Sequence, residues 1–304
     1  MPVPVVLGEF AVNPACICSS ADLSVGQQVF GFEHGAIISD FPNGWYKVIR
    51  ARANQMLEPD RGIFLGKLLR FRDRAVARVR SSEPGETWLD QAVASNTMLP
   101  FHGILDVADS VACRSYATAM DDESLRAGLR ENKVPRNADA LVKSFWPLAV
   151  SSDKFLIIDP YIKPIAAHKK FFSSLVAARR TAVKTPLFLD LHMEFDDDPV
   201  ELRDGSGECK AAFKAWARDI GENLFITLQW WADSGVGELH PRYLITERGG
   251  VRLDRGAVVP PQLDQQDHDT DISMLAEHFV HEIERRYSGK YQPLKLVAKD
   301  AFRI

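Results

Sequence analysis

Leu239-His240-Pro241-Arg242-Tyr243-Leu244-Ile245-Thr246-Glu247-Arg248-Gly249-Gly250-Val251-Arg252-Leu253-Asp254 is the stretch on which the reading of this chain turns. Tyr243 to Thr246 is rich in β-formers, Gly249-Gly250 suits a tight turn, and Val251 to Leu253 alternates. The spacing predicts a strand, a hairpin turn and a second strand. His240 and Arg242 are two apart, so an extended chain sends both side chains to one face. An imidazole beside a guanidinium suits a phosphate. The imidazole can act as nucleophile or acid/base and the guanidinium as a bidentate clamp.

Outward from this stretch, strands and helices alternate. Phe155 to Ile158 reads as a buried strand ending in Asp159-Pro160-Tyr161. Residues 164–180 form an amphipathic helix with Phe171, Phe172, Leu175 and Val176 inward. Leu187 to His192 is a strand, 193–207 an acidic loop, and 208–220 a helix carrying Phe213 and Trp216. Leu224 to Trp230 is a third strand, and 232–238 a loop leading to His240. Residues 258–271 read as a polar loop, 271–287 as a long helix, and Leu294 to Val297 as a last strand. This alternation predicts an α/β layered domain over 151–304.

The first hundred residues read as a mainly helical domain, joined by a connecting helical region over 101–150. One helix starts near Ala21, another at Trp45, and a third runs from Arg61 to Arg80. The third has Phe64, Leu65, Leu68, Leu69, Val76 and Val79 at helical spacing. Its opposite face carries Lys67, Arg70, Arg72, Arg74, Arg78 and Arg80, with Asp73 opposing. Such a face is either solvated beside an acidic surface or a contact for a phosphate-bearing partner.

Composition bounds the function. The chain has 304 residues, long enough for two domains. A net charge of −4 argues against a whole-surface nucleic-acid binder and leaves room for a local basic patch. No long uncharged apolar run occurs and the start lacks a basic leader, so neither a membrane span nor a secretory signal is expected. Four cysteines do not make a disulfide framework. The expected location is cytoplasmic.

His240-Pro241-Arg242, followed after four intervening residues by Glu247, resembles the H-x-K-x-x-x-x-D motif of the phospholipase D superfamily, with Arg for Lys and Glu for Asp. The Asp159-Pro160-Tyr161 strand end and glycine-rich hairpin are also similar to the phospholipase-D-like C-terminal domain of MIT-domain proteins, a group thought to bind lipid rather than cleave it. The resemblance covers about residues 150–304. It implies His240 as nucleophile, Arg242 on the non-bridging oxygens and Glu247 as the carboxylate that orients the imidazole. Asp159, Tyr161 and Thr246 would line the pocket. No metal or cofactor is required.

The sequence departs from the family in the Arg242 and Glu247 replacements, in Asp254 at the later glycine-serine position with Gly256 two residues on, and in having one motif where chemistry needs two. A homodimer would supply the second. The expectation is a phosphodiesterase or nuclease-like protein of a bacterial defence or nucleic-acid-processing system. The alternative is a non-catalytic subunit of a larger complex that binds phosphate, nucleic acid more than lipid, using Arg70, Arg72, Arg74 and the His240/Arg242 pocket. A third candidate is a divalent-metal site built from His192 and Glu194 with Asp196 to Asp198 or the Asp267-His268-Asp269 loop.

Overall fold

A computed structural model of the chain describes residues 4–41, 44–77, 85–98, 100–182, 185–195, 206–233, 237, 239–262, 265, 268–291 and 293–304. Two compact units emerge: Val6–Arg130, and Glu131–Ile304 with Met1–Val5. The division falls at 130/131, not at the boundaries near 100 and 150 that composition suggests.

The first unit contains β1 (Gly8–Val12), α1 (Ser20–Val29), β2 (Ala36–Ser39), α2 (Trp45–Arg52), α3 (Asp60–Ala75), β3 (Val76–Ala77), α4 (Trp88–Met98), β4 (Gly103–Asp106), β5 (Arg114–Ser115) and α5 (Tyr116–Asp121). Its strands form one parallel sheet in the order β3-β2-β1-β4-β5. The expected mainly helical N-terminal domain is therefore corrected to an α/β unit. The strands escape notice in the sequence for a physical reason. They are two to five residues long, and β1 and β2 are buried at every position, so no polar-apolar alternation marks them. Helix α3 stops at Ala75, and Val76 enters β3. It buries Phe64, Leu68, Phe71 and Ala75, while Leu69 is 46% exposed and belongs to no core stripe. Arg78, Val79 and Arg80 lie outside the described residues.

The second unit contains β6 (Glu131–Pro135), α6 (Ala138–Ser144), α7 (Trp146–Ser151), β7 (Lys154–Ile158), α8 (Ala166–Ala182), β8 (Leu187–Glu194), α9 (Ser206–Ile220), β9 (Leu224–Asp233), β10 (Tyr243–Thr246), β11 (Gly250–Leu253), β12 (Asp269–Met274), α10 (Glu277–Arg285) and β13 (Leu294–Arg303). All eight strands form one sheet, ordered β13-β9-β8-β7-β10-β11-β12-β6. Strands β7, β8 and β9 are parallel, and every other pairing is antiparallel. The β10–β11 hairpin is present as its sequence suggests, with Leu244 opposite Val251.

Two elements correct the sequence reading. Residues 269–274 form β12, not the start of a long helix, because Thr270, Ile272 and Met274 are buried in a period of two. Strand β6 is polar (Glu-Asn-Lys-Val-Pro) and gives no strand signal. It is an edge strand, and pairing with β12 along Asp269–Ser273 forms it.

Alternation gives the sheet two unlike faces. On one, Ile158, Trp231 and Ile245 pack under Val280 and Ile283 of α10. Phe155 and Ile157 leave on the other. Helices α8 and α9 meet through Phe172 and Trp216, whose ring centroids are 5.0 Å apart. Arg179 of α8 is 2% exposed. Its Nε donates to the Ser152 carbonyl (2.6 Å), and its terminal nitrogen contacts the Asp153 carboxylate and Thr185 Oγ1. It therefore ties the entry of β7 to the loop before β8. Arg179→Ala is expected to lower the urea unfolding free energy by about 3 kcal/mol, since it strips the partners from a buried network. A change below about 1 kcal/mol would contradict this role.

Candidate functional site

The C-terminal end of β7 gathers the first cluster. Asp159 follows β7 directly and is 1% exposed. Its carboxylate accepts hydrogen bonds from the backbone N–H groups of Tyr161 (3.1 Å) and Ala257 (3.2 Å), and it faces Arg242 Nε at 3.6 Å. The Arg242 guanidinium lies over the Tyr161 ring at 5.1 Å and donates to the Asp254 carbonyl at 2.5 Å. Gly256 makes this closure possible. Its φ is +69°, and a Cβ there would fall 2.1 Å from Asp159 Oδ2 and 2.6 Å from Arg242 Cδ. Expected site residues Asp159, Tyr161 and Arg242 are thus brought together, but as a brace between β7, β10 and the turn after β11.

Two further arginines, Arg136 after β6 and Arg255 in the turn after β11, lie at the same end of the sheet. Burial first, then the like charges of Arg255 and Arg242, lower the pKa of Arg136. Arg136 Nε is buried without a hydrogen-bond partner. Arg255 is exposed and pairs with Asp254 at 3.7 Å. His168 of α8 is buried near Asp159. Burial lowers its pKa, against the raising effect of Asp159 and the Lys163 backbone. Neither of its ring nitrogens reaches a partner at hydrogen-bond geometry. Arg136, Arg255 and His168 carry no signal in the sequence, because they come from three separate segments.

His240 is exposed, and its backbone N–H donates to the Gly237 carbonyl at 3.3 Å. Glu247 does not join it. Arg242 and Glu247 are five residues apart, roughly 16 Å along a strand, and an odd spacing sends them to opposite faces. The Glu247 carboxylate accepts from the backbone N–H groups of Asp153 (2.9 Å) and Lys154 (3.4 Å) at the start of β7. Thr246 serves the hairpin: its Oγ1 donates to the Gly249 carbonyl and accepts from the N–H groups of Arg248 and Gly249. The expected alignment of Glu247 with the His240 imidazole is therefore not what the geometry builds.

Glu247 borders a second cluster, on the other face of the sheet. A cavity of about 340 Å³ lies over β7, β8, β9 and β10 beside the end of α10, with Asp190, His192 and Gln229 on the sheet side and Glu284, Tyr287 and Ser288 opposite. Trp231 Nε1 donates to His192 Nδ1 at 2.9 Å. The proton of the neutral imidazole is therefore on Nε2, 3.3 Å from Asp190 Oδ1. Gln229 Nε2 donates to the same oxygen at 2.7 Å. Burial lowers the His192 pKa, Asp190 raises it, and Lys299 and Lys154 lower it. Burial raises the Asp190 carboxyl, but hydrogen bonds from His192 and Gln229 and the charge of Lys154 hold it below its ordinary value. Both His192 nitrogens are engaged, so this imidazole orders the cavity floor and does not act as a free base.

The remaining expectations fall as follows. Arg72 pairs with Asp73 through Nε (2.8 Å) and stacks over Tyr46 at 4.9 Å. Arg70 reaches the Gly66 carbonyl at 3.5 Å, and Arg74 is exposed. Lys67 is held by Ser24 Oγ at 2.6 Å. Among the described residues no three His, Cys, Asp or Glu side chains gather to hold a metal. Asp196 to Asp198 and Asp267, invoked for the metal reading, lie outside those residues. No helix among them is long and apolar enough to cross a membrane.

No protein family matches this chain, and no curated protein does. Among solved structures it has similarity to TrmBL2, described as an archaeal chromatin protein with a novel mode of DNA binding. The identity is 9%, the TM-score 0.27, and the match covers 83% of this chain and 82% of that one. A similarity this low defines neither a shared fold nor a shared ligand.

Gly256→Ala is expected to destabilise the protein by about 2 kcal/mol or more, because the added methyl displaces Asp159 and Arg242 in addition to straining the backbone. A melting temperature equal to wild type would overturn the brace. The pH dependence has a definite sign. His102, His168 and His192 all have lowered values in the fold, burial being the largest cause for each. On acidification the unfolded chain takes up protons near its ordinary value of about 6.5 while the folded chain resists. Urea midpoints are therefore expected to fall from neutral pH to about pH 5. A midpoint that holds steady or rises across that window would contradict the burial of these rings.

Proposed function

We propose that the chain is a phosphodiester-binding protein whose second unit is a degenerate phospholipase D-like module, acting as a binding or assembly subunit and not as a hydrolase. The observation that carries this reading is the group Arg242, Asp159 and Tyr161 at the C-terminal end of β7, with Arg255 in the turn after β11 and Arg136 after β6 at the same end of the sheet. Among the described residues Arg242 pairs with Asp159 and Arg255 with Asp254, and Arg136 forms no ion pair. An anionic oxygen supplies the missing charge and a partner for the buried Nε of Arg136. Tyr161 is 46% exposed and already holds Arg242 against its ring, so it offers a base a stacking surface. That favours nucleic acid over a lipid headgroup.

The hydrolytic reading loses support from the same geometry. Arg242 is committed to Asp159 and the Asp254 carbonyl, and the Glu247 carboxylate is on the opposite face. Binding by the cluster needs no second copy of the chain.

With a fluorescein-labelled oligonucleotide as probe, the double variant Arg136→Gln, Arg255→Gln is expected to weaken binding. It is also expected to reduce the slope of log K against log salt by about 0.7 to 0.9 for each phosphate no longer neutralised. An unchanged slope would refute the cluster as the phosphate site. Hydrolysis of bis(p-nitrophenyl) phosphate is expected to show no dependence on His240. A rate abolished by His240→Ala would replace this reading with the catalytic one.

A further inference from the structure

We propose that the half of the sheet left uncovered by α10 is a platform for single-stranded nucleic acid, distinct from the guanidinium cluster and on the opposite face. Strand alternation and register place Lys154 of β7, Phe188 and Asp190 of β8, Phe225 and Gln229 of β9, and Lys299 and Arg303 of β13 on this one surface. Helix α10 covers the rows of Ile158, Trp231 and Ile245. It does not cover the row of Phe188, a large apolar side chain left 44% exposed at the start of β8, at one end of the sheet.

The row is already a stack. Phe188 and Phe225 lie ring on ring, with centroids 4.9 Å apart and planes 16° from parallel. The Arg303 guanidinium closes the far side of Phe225 at 4.8 Å. Phe188 is the last ring in the series, and Lys154 is its register partner on the next strand. A flat aromatic ligand extends the series over Phe188, since offset stacking of π-systems needs no matched hydrogen bonds. Among the described residues Lys154 and Lys299 form no ion pair. Lys154 stands in the Phe188 row itself, and Lys299, the register partner of Gln229, stands four residues along β13 from Arg303, roughly 13 Å away, so the two exposed amines are placed for different phosphates of a strand whose base lies on Phe188.

Beside the stack is the cavity of about 340 Å³ floored by Asp190, His192 and Gln229. That size is in the range of small-molecule sites. Asp190 is held ionised by its own hydrogen bonds and presents acceptor capacity to the cavity, with Glu247 at the side and Glu284 of α10 opposite. Carboxylates there accept from the amino or imino edge of a base. They also oppose an anionic lipid surface, which would meet the lysines and the carboxylates together. Cations too far apart for one monophosphate, aromatic rings on the sheet and acceptors in a recess together specify a single strand of nucleic acid. None of these residues belongs to the Arg136–Arg242–Arg255 cluster, so the inference does not rest on the preceding reading.

The test uses the full chain with a mixed-sequence single-stranded oligonucleotide and, separately, guanosine and adenosine monophosphates, in the Arg136→Gln, Arg255→Gln background. Phe188→Ala removes an exposed ring, so the fold is expected to remain, as a circular dichroism melt checks. Binding is expected to weaken about tenfold or more in Phe188→Ala, to return in Phe188→Trp, and to lose salt dependence in Lys154→Gln, Lys299→Gln. Saturable binding of the oligonucleotide that depends on Phe188 supports the proposal, and saturable binding of the monophosphates alone overturns it. No saturable binding of any probe in this background, binding indifferent to Phe188→Ala, or preferential binding to phosphatidylserine vesicles overturns it. Loss of binding on introducing the two arginine substitutions, with Phe188→Ala in the native background neutral, leaves the cluster reading standing and this one refuted.

Discussion

A strand residue can face one side of its sheet or the other, and in the second unit that constraint decides which groups can meet. Strand β7 lies between parallel β8 and antiparallel β10, so its two faces serve two sites. Odd-numbered Asp159 closes the side that receives Arg242. Even-numbered Lys154 and Leu156 line the side that holds Asp190, His192 and Gln229. Asp159 is the element the first side depends on. Its buried carboxylate is surrounded by two backbone N–H groups and a guanidinium, and removing them would leave a charge uncompensated in a poorly solvated place.

The two clusters differ in how their charges are arranged. At the Asp159 end of the sheet Arg242 and Arg255 are paired, while the buried Nε of Arg136 has no hydrogen-bond partner among the described residues, the arrangement that takes an anion. In the opposite cavity each polar group has a partner. Trp231 fixes the tautomer of His192, His192 and Gln229 saturate one oxygen of Asp190, and Glu247 closes backbone groups at the head of β7. A satisfied network of this kind forms a rigid floor instead of a reactive one. The uncommitted groups lie at its margin, where Phe188, Lys154 and Lys299 meet solvent.

Local pattern specifies the fold where periodicity is strong. The helix over Phe171, Phe172, Leu175 and Val176, the strands β7, β8 and β9, and the hairpin at Gly249-Gly250 all follow from it. Pattern fails in the first unit, where short strands buried on both faces carry no alternation. It fails again at β6, whose polar residues are strand only because β12 pairs with them. Two features of the candidate site are nevertheless written in the spacing. The separation of Arg242 from Glu247 by an odd number of residues already places them on opposite faces, and Asp190-Leu191-His192 already puts a carboxylate and an imidazole on the same one.

What the sequence determined by itself was therefore the class of the second unit, its strand directions near the hairpin, and the side of the strand on which each of its residues stands, because these depend on spacing and local propensity alone. The tertiary structure decided which faces are covered and which segments converge. Arg136, Arg242 and Arg255 share one end of the sheet because the end of β6, the start of β10 and the turn after β11 all lie there. Phe188 is open because α10 stops short of its row. Neither fact is written in any local stretch, since each depends on contacts between residues far apart in the chain.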